Sequence, residues 1–185
     1  MKPPFRFGGM LKGRDIVLTP LIADDSPTMF AWINDRQDVL FNAPYRPVSE
    51  PEHAAWFHAV QQRADTVIFA IRLTKKGTLV GSCQLHSISP VHRTAELQIR
   101  LGEPTARRQG YGTEAARLLL DFAFNDLGLG RVSLRVFASN EAALRTYEKV
   151  GFVREGVLRK AAYIDGHHED VVIMGILREE HGGRR

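Results

Sequence analysis

The sequence predicts a single α/β domain of the α+β kind, with a mixed sheet of about seven strands and about four helices. Period-2 runs and period-3.6 stretches follow one another along the chain, and no repeat or low-complexity block separates them. A length of 185 residues fits one domain that buries about two-thirds of its unfolded surface. With 44% hydrophobic and 25% charged residues, the chain has the composition of an ordinary globular protein. Residues 1–185 are expected to form one domain, with 1–13 and 180–185 as flexible tails.

Arg14–Leu21 reads as the first strand. Asp24–Asn34 follows as a helix, with Asp24, Asp25 or Ser26 available as N-cap and Pro27 tolerated in the first turn. A second helix fits Glu52–Arg63, where Ala55, Trp56, Ala59 and Val60 fall at helical spacing. Between these helices, Asn42-Ala43-Pro44-Tyr45-Arg46-Pro47 is an extended loop fixed by its prolines. Strand-rich sequence runs from Val67 to Leu101, broken at Lys75-Lys76-Gly77 and at Ser89-Pro90. Gly112–Asp126 is helical, Arg131–Ala138 a strand, and Glu141–Val150 a helix stopped by Gly151. Two closing strands flank a turn at Asp165-Gly166.

The net charge of +4 and pI of about 9.5 raise the question of nucleic acid, but the basic residues are scattered. Arg107-Arg108 and Arg184-Arg185 are the only adjacent arginine pairs, and basic runs interleaved with aromatics are missing. An anionic ligand explains the charge equally well. Met1-Lys2-Pro3-Pro4-Phe5-Arg6 does not read as a secretory signal, and no apolar stretch approaches the ~20 residues needed to cross a bilayer. Cys83 is the only cysteine, which excludes an internal disulfide and fits a reducing compartment. A cytoplasmic protein without membrane or nucleic-acid partners is expected.

Arg107-Arg108-Gln109-Gly110-Tyr111-Gly112-Thr113 lies between a strand-like run and a helical one. Its two glycines let the backbone turn sharply and approach a ligand, and the first free N–H groups of the helix favour an anion there. A phosphate-rich ligand fits this place. One such ligand is a dinucleotide, since Gly110, Gly112 and Ala115 match G-x-G-x-x-A and Glu141 lies downstream. That fingerprint requires the glycine to follow its strand almost directly. Here Gly102, Glu103 and Pro104 separate the run Ala95–Leu101 from the loop.

Arg107-x-x-Gly110-x-Gly112 resembles the (Q/R)-x-x-G-x-(G/A) pyrophosphate loop of the GNAT superfamily of N-acetyltransferases. Downstream, Asn140 through Phe152 is similar to that superfamily's N-x-x-A-x-x-x-Y-x-x-x-G-F segment, with Tyr147 at the tyrosine. Resemblance extends from Ile16-Val17-Leu18 through Trp32-Ile33-Asn34-Asp35 to Asp170–Gly175, toward the branch of ribosomal-protein N-terminal and spermidine N-acetyltransferases. His92–Ile99 is similar to the strand that precedes the loop in the spermidine enzymes, while the loop is one residue longer around Glu103–Ala106.

The resemblance implies a mostly antiparallel twisted sheet, splayed at its central strands. It also implies transfer of acetyl from acetyl-CoA to a primary amine by direct attack. Arg107, Arg108, Gln109, Gly110, Tyr111, Gly112 and Thr113 would hold the pyrophosphate, and Ile99, Arg100 and Leu101 the pantetheine arm and acetyl carbonyl. Tyr147 would protonate the leaving thiolate, and Asn140 would touch the cofactor. Each has a plainer reading: Asn140 as a helix cap, Tyr147 as a core aromatic, and Ala95–Leu101 as an amphipathic strand.

An alkylammonium must lose its proton before it can attack. Glu96 on the central strand is the first candidate base and Glu103 the second, while no spacing singles out His86, His92, His167 or His168. His167-His168, beside a turn, reads as surface, and no metal site is expected. Cys83 lies outside every motif, so no acyl-enzyme is implied. The acceptor is expected to be a small amine, polyamine, aminosugar or protein N-terminus. Spermidine enzymes of this branch carry acidic residues before the Pro-Tyr of the loop, where this chain has Asn42-Ala43 before Pro44-Tyr45. The alternative is a catalytically silent CoA-binding regulatory or interaction domain, against which the retained Tyr147 argues.

Overall fold

The computed structural model describes residues 11–40 and 46–182. The Asn42–Tyr45 part of the extended loop, the segment Met1–Arg6 and the pair Arg184-Arg185 lie outside them. Eight strands form one sheet: β1 (Leu11–Lys12), β2 (Ile16–Thr19), β3 (Val67–Leu73), β4 (Leu79–Ser89), β5 (Thr94–Arg100), β6 (Arg131–Phe137), β7 (Val153–Ile164) and β8 (His167–Leu177). Their order is β1-β2-β3-β4-β5-β6-β8-β7, and every neighbouring pair is antiparallel except β5 with β6. The longer helices are α1 (Ser26–Ile33), α3 (Glu50–Val60), α4 (Tyr111–Asp121) and α5 (Glu141–Val150), and α2 (Arg36–Val39) and α6 (Arg178–His181) are single turns.

The eighth strand, β1, falls within the stretch expected as a tail. A long-range tie fixes it: Glu114, on the first turn of α4, accepts from the Asp15 amide at 3.0 Å. A Cβ at Gly13 would stand 2.1 Å from the same carboxylate, so a side chain there would push Glu114 off the Asp15 amide.

α3 starts two residues earlier than the spacing predicts, because Ser49 caps it and Pro51 fits its first turn. Its buried face is His53, Phe57 and Val60, at i, i+4 and i+7, while Ala55, Trp56 and Ala59 face outward. The helix after the glycine loop is regular to Asp121 and then widens into a π turn over Phe122–Asp126, closed by Leu127 N–H to Phe122 O at 3.0 Å.

Side-chain alternation divides the interior into two cores on opposite sheet faces. Phe69 and Ile71 join the larger core with Leu85, Leu97, Leu119, Leu120 and Met174, between the sheet and the helices α4 and α5. Ala70 faces the other way, against Leu21, Met29 and Phe57 under α1 and α3. The second layer is anchored by a buried ion pair. The Arg72 guanidinium donates to both Asp25 carboxylate oxygens at 2.7 and 2.6 Å and to Thr19 Oγ1 at 3.0 Å, while Asp25 Oδ2 also accepts from the Ile22 amide at 3.0 Å.

Candidate active site

The parallel pair in the middle of the sheet is short. β5 matches β6 only at Thr94–Arg131, Ala95–Val132 and Glu96–Ser133; β6 then continues along β8 to Phe137 while β5 continues along β4 to Arg100. A wedge therefore opens beside Leu97–Arg100, where alternate backbone groups of β5 have no strand to pair with. At its end, Gly81 permits the approach of β4: a Cβ there would lie 2.2 Å from the Arg100 carbonyl oxygen.

The glycine loop stands at the open end of this wedge. Leu101 Cδ1 lies 3.7 Å from where a Gly112 Cβ would be, and Arg107 Nε reaches back to the Leu101 carbonyl at 3.4 Å. Arg108 and Gly110 both adopt left-handed backbone, φ 61° and 85°, so the chain curls into a concavity of N–H groups at the start of α4. The first helical bond is Glu114 N–H to Gly110 O at 3.0 Å. Among the described residues nothing accepts from the amides of Arg108, Gln109, Gly110, Tyr111, Gly112 or Thr113. Such a nest at a helix start, with Arg107 and Arg108 just before the glycines, fits a polyanion.

Tyr147 and Asn140 both belong to α5. Asn140 accepts from the Ala143 amide at 3.2 Å through Oδ1 as the helix cap. Tyr147 is buried, its ring edge-on to Phe152 at 5.7 Å. Burial pushes its hydroxyl up to about 12, with a further push from the nearby Cys83 thiol. Cys83 pairs with Ile99 across β4 and β5, which puts the tyrosine beside the strand that borders the wedge. Cys83 itself is buried and its thiol is raised by desolvation, so it is a poor nucleophile.

On the opposite sheet face a cavity of about 210 Å³ opens between α1, α3 and the strands β4 and β5. Trp32, His53 and Trp56 wall it, and Cys83, Gln84, Gln98 and Arg100 floor it. Trp32 also packs directly on Gly102, where a Cβ would come within 2.0 Å of the indole, so the wall meets the chain just after β5. The Asn34 side chain holds Val48 from both sides, accepting from its amide at 2.9 Å and donating to its carbonyl at 3.1 Å. His53 gives Nε2–H to the Ser26 carbonyl at 3.0 Å, and burial lowers its pKa, so the ring is neutral. Sequence spacing marked none of His53, Trp32 or Gln84; the signal was a histidine in register with the buried stripe of α3.

The proposed bases separate. Glu96 shares the cavity face of β5 with Gln98 and Arg100, two residues back from Gln98, and its carboxylate is 4.0 Å from Arg135. Glu103 instead caps the short turn Pro104–Ala106, accepting from the Thr105 hydroxyl at 2.9 Å. His92, His167 and His168 are exposed, and His86 contacts Ser87 Oγ at 3.2 Å.

Fold and opened sheet together define an N-acetyltransferase domain. The chain belongs to the GNAT acetyltransferase family: the family described as "Acetyltransferase (GNAT) domain" matches residues 15–153. It is an acetyl-CoA-dependent N-acetyltransferase. A putative ribosomal N-acetyltransferase of Bacillus subtilis is 32% identical over 168 residues, covering 91% of this chain and 88% of the relative. The spermidine N(1)-acetyltransferase of Vibrio cholerae is 30% identical over 155 residues, covering 82% and 87%. The crystal structure of spermidine N-acetyltransferase from Vibrio cholerae in complex with CoA and spermine superposes with a TM-score of 0.82 at 28% identity, covering 90% of this chain and 98% of that one.

Proposed function

We propose that acetyl-CoA lies in the wedge between β5 and β6 and gives its acetyl group directly to a primary amine held in the cavity beneath α1 and α3. The observation that carries this reading is the opening of the sheet after Glu96, beside a loop whose amides are unpartnered among the described residues. The pyrophosphate sits against the amides of Arg108–Thr113 with Arg107 alongside. The pantetheine arm runs along Ile99, Arg100 and Leu101 as an added strand, its amide groups meeting the free edge of β5. Asn140 shapes the far side by capping α5.

The amine nitrogen attacks the acetyl carbonyl, an N–C bond forms, the C–S bond breaks, and the sulfur leaves beside Tyr147. The nitrogen's proton passes through water to Glu96, which shares the cavity face of β5. The Tyr147 hydroxyl donates to the departing sulfur. Relatives named for spermidine and for ribosomal protein support either a small amine or a protein N-terminus as acceptor. The test is a screen of amines, aminosugars and short peptides for free thiol release. Calorimetric binding of acetyl-CoA without thiol release to any acceptor would refute transfer and favour a silent CoA-binding domain.

A further inference from the structure

His53 lies on the buried stripe of α3 and is only 4% exposed. A buried imidazole needs partners for both ring nitrogens, and here a single one is supplied. Nε2 faces the Ser26 carbonyl, which can only accept, so the ring hydrogen is on Nε2 and Nδ1 keeps a bare lone pair. Among the described residues nothing donates to that lone pair. It is not sealed off either, because the only side-chain nitrogen or oxygen among the described residues that is both shut away from solvent and unpartnered is Gln84 Oε1. Nδ1 therefore opens on the cavity that His53 lines.

The ring is held in this orientation. Its centroid is 5.4 Å from those of Phe30 and Trp56 and 6.3 Å from that of Phe57, and a flip would set a ring C–H against the Ser26 carbonyl in place of Nε2–H. Two other acceptors of the lining are engaged, Glu52 by both arms of Arg46 and Gln98 Oε1 by Gln84. A neutral acceptor also suits an amine about to react. A carboxylate would favour the ammonium form, which has no lone pair to attack with, through a charge-assisted bond about twice as strong as a neutral one. An imidazole that burial keeps uncharged takes an N–H from the neutral amine with less of that penalty.

We propose that His53 positions the reacting nitrogen: its Nδ1 accepts one N–H of a primary amine in the cavity, which turns the nitrogen lone pair toward the acetyl carbonyl. This rests on the reading of the cavity as the acceptor site. The neutral amine carries two hydrogens on nitrogen. The one held by His53 remains as the amide N–H of the product, and the other leaves through water to Glu96 as the N–C bond forms and the C–S bond breaks. His53 itself gains no proton at any step.

Trp32 and Trp56 are the only two tryptophans in the chain and both line the cavity, so their emission reports amine binding without turnover. The whole chain, its histidine rings labelled with nitrogen-15 and its cofactor site saturated with CoA, is titrated with spermidine, phenethylamine and trialanine, and with N,N,N-trimethylphenethylammonium, which has no N–H to give. At least one of the three amines should bind and move upfield the Nδ1 resonance that is missing from His53→Asn, while the trimethylated cation leaves it in place. His53→Gln keeps an N–H for the Ser26 carbonyl but sets no acceptor at the Nδ1 position, and should bind that amine about tenfold more weakly at an unchanged melting temperature. His53→Asn sets Oδ1 at that position and gives up the Ser26 contact, so it should melt lower yet keep the amine affinity within about threefold. The reverse pattern, affinity kept by Gln and lost by Asn, would make His53 a strut between α1 and α3 and overturn the inference. Amine binding with Nδ1 unmoved, or no binding by any of the three, also overturns it. Thiol release with Nδ1 unmoved sinks this inference and leaves transfer standing; a moved Nδ1 without thiol release does the opposite.

Discussion

Tyr147→Phe separates chemistry from packing. The ring lies edge-on to Phe152 at 5.7 Å, and phenylalanine keeps that contact. Only the hydroxyl is removed, so stability should change by about 1 kcal/mol or less. Catalysis should suffer more. With the hydroxyl pushed up to about 12, it is protonated at any working pH. Full transfer of its proton to a thiolate with an ordinary pKa near 8.5 is uphill by about 5 kcal/mol. In the proposed reaction Tyr147 would therefore serve chiefly as a hydrogen-bond donor to the developing sulfur anion, a contact worth about 1.5–3 kcal/mol. The expected loss in turnover is roughly tenfold to 150-fold. Turnover is measured at saturating acetyl-CoA on the amine identified by the screen, beside a thermal melt. A loss below about threefold with the melting temperature intact would make Tyr147 a core residue only, with water or another donor serving the sulfur.

Gly110 sits at φ 85°, and nothing lies within 4 Å of where a Cβ would stand, so two substitutions part backbone from ligand. Gly110→Val should cost about 1–2 kcal/mol in stability and also weaken acetyl-CoA binding, whereas Gly110→Asn, tolerant of left-handed backbone, should lose binding alone; equal calorimetric affinity in a folded Asn variant would remove the loop from the cofactor site. Asp25→Ala strands the Arg72 guanidinium in the interior and should cost about 3–5 kcal/mol, or about 6–20 °C in melting temperature. A loss below about 1 kcal/mol would mean that water reaches the pair. His53 is held neutral by burial, so the unfolded chain takes up its proton more readily and stability rises with pH through this group. Stability should be complete above about 6.5 and fall below it, less steeply in His53→Phe; parallel melting curves for the two proteins between about pH 5 and 7 would contradict this.

Local chemistry made much of the fold legible. α5 begins and ends where Asn140 and Gly151 place it, the latter at φ 117°, because cap and stop are written in adjacent residues. The turn at Asp165-Gly166 and the breaks at Lys75–Gly77 and Ser89-Pro90 are legible for the same reason. Contacts between distant segments were not legible. Glu114 meeting Asp15 turns an expected tail into a strand, and His53 meeting the Ser26 carbonyl buries a histidine where the spacing favoured Trp56. The conformation of the glycine loop could be read because the groups it turns outward are its own amides, whereas the cavity draws on α1, α3, β4 and β5 at once.

The three residue pairs that join β5 to β6 also carry a mechanical consequence. Among the described residues they are the only strand pairing between a half made of β1 to β5 and a half made of β6 to β8. Such a narrow seam allows the halves to open as separate cooperative units, a sub-global unfolding that slows when something bridges them. A ligand strand lying in the wedge would be mortar as much as reactant, so hydrogen exchange along β5 and β6 would register the filling of the site as a change in how the whole sheet holds together.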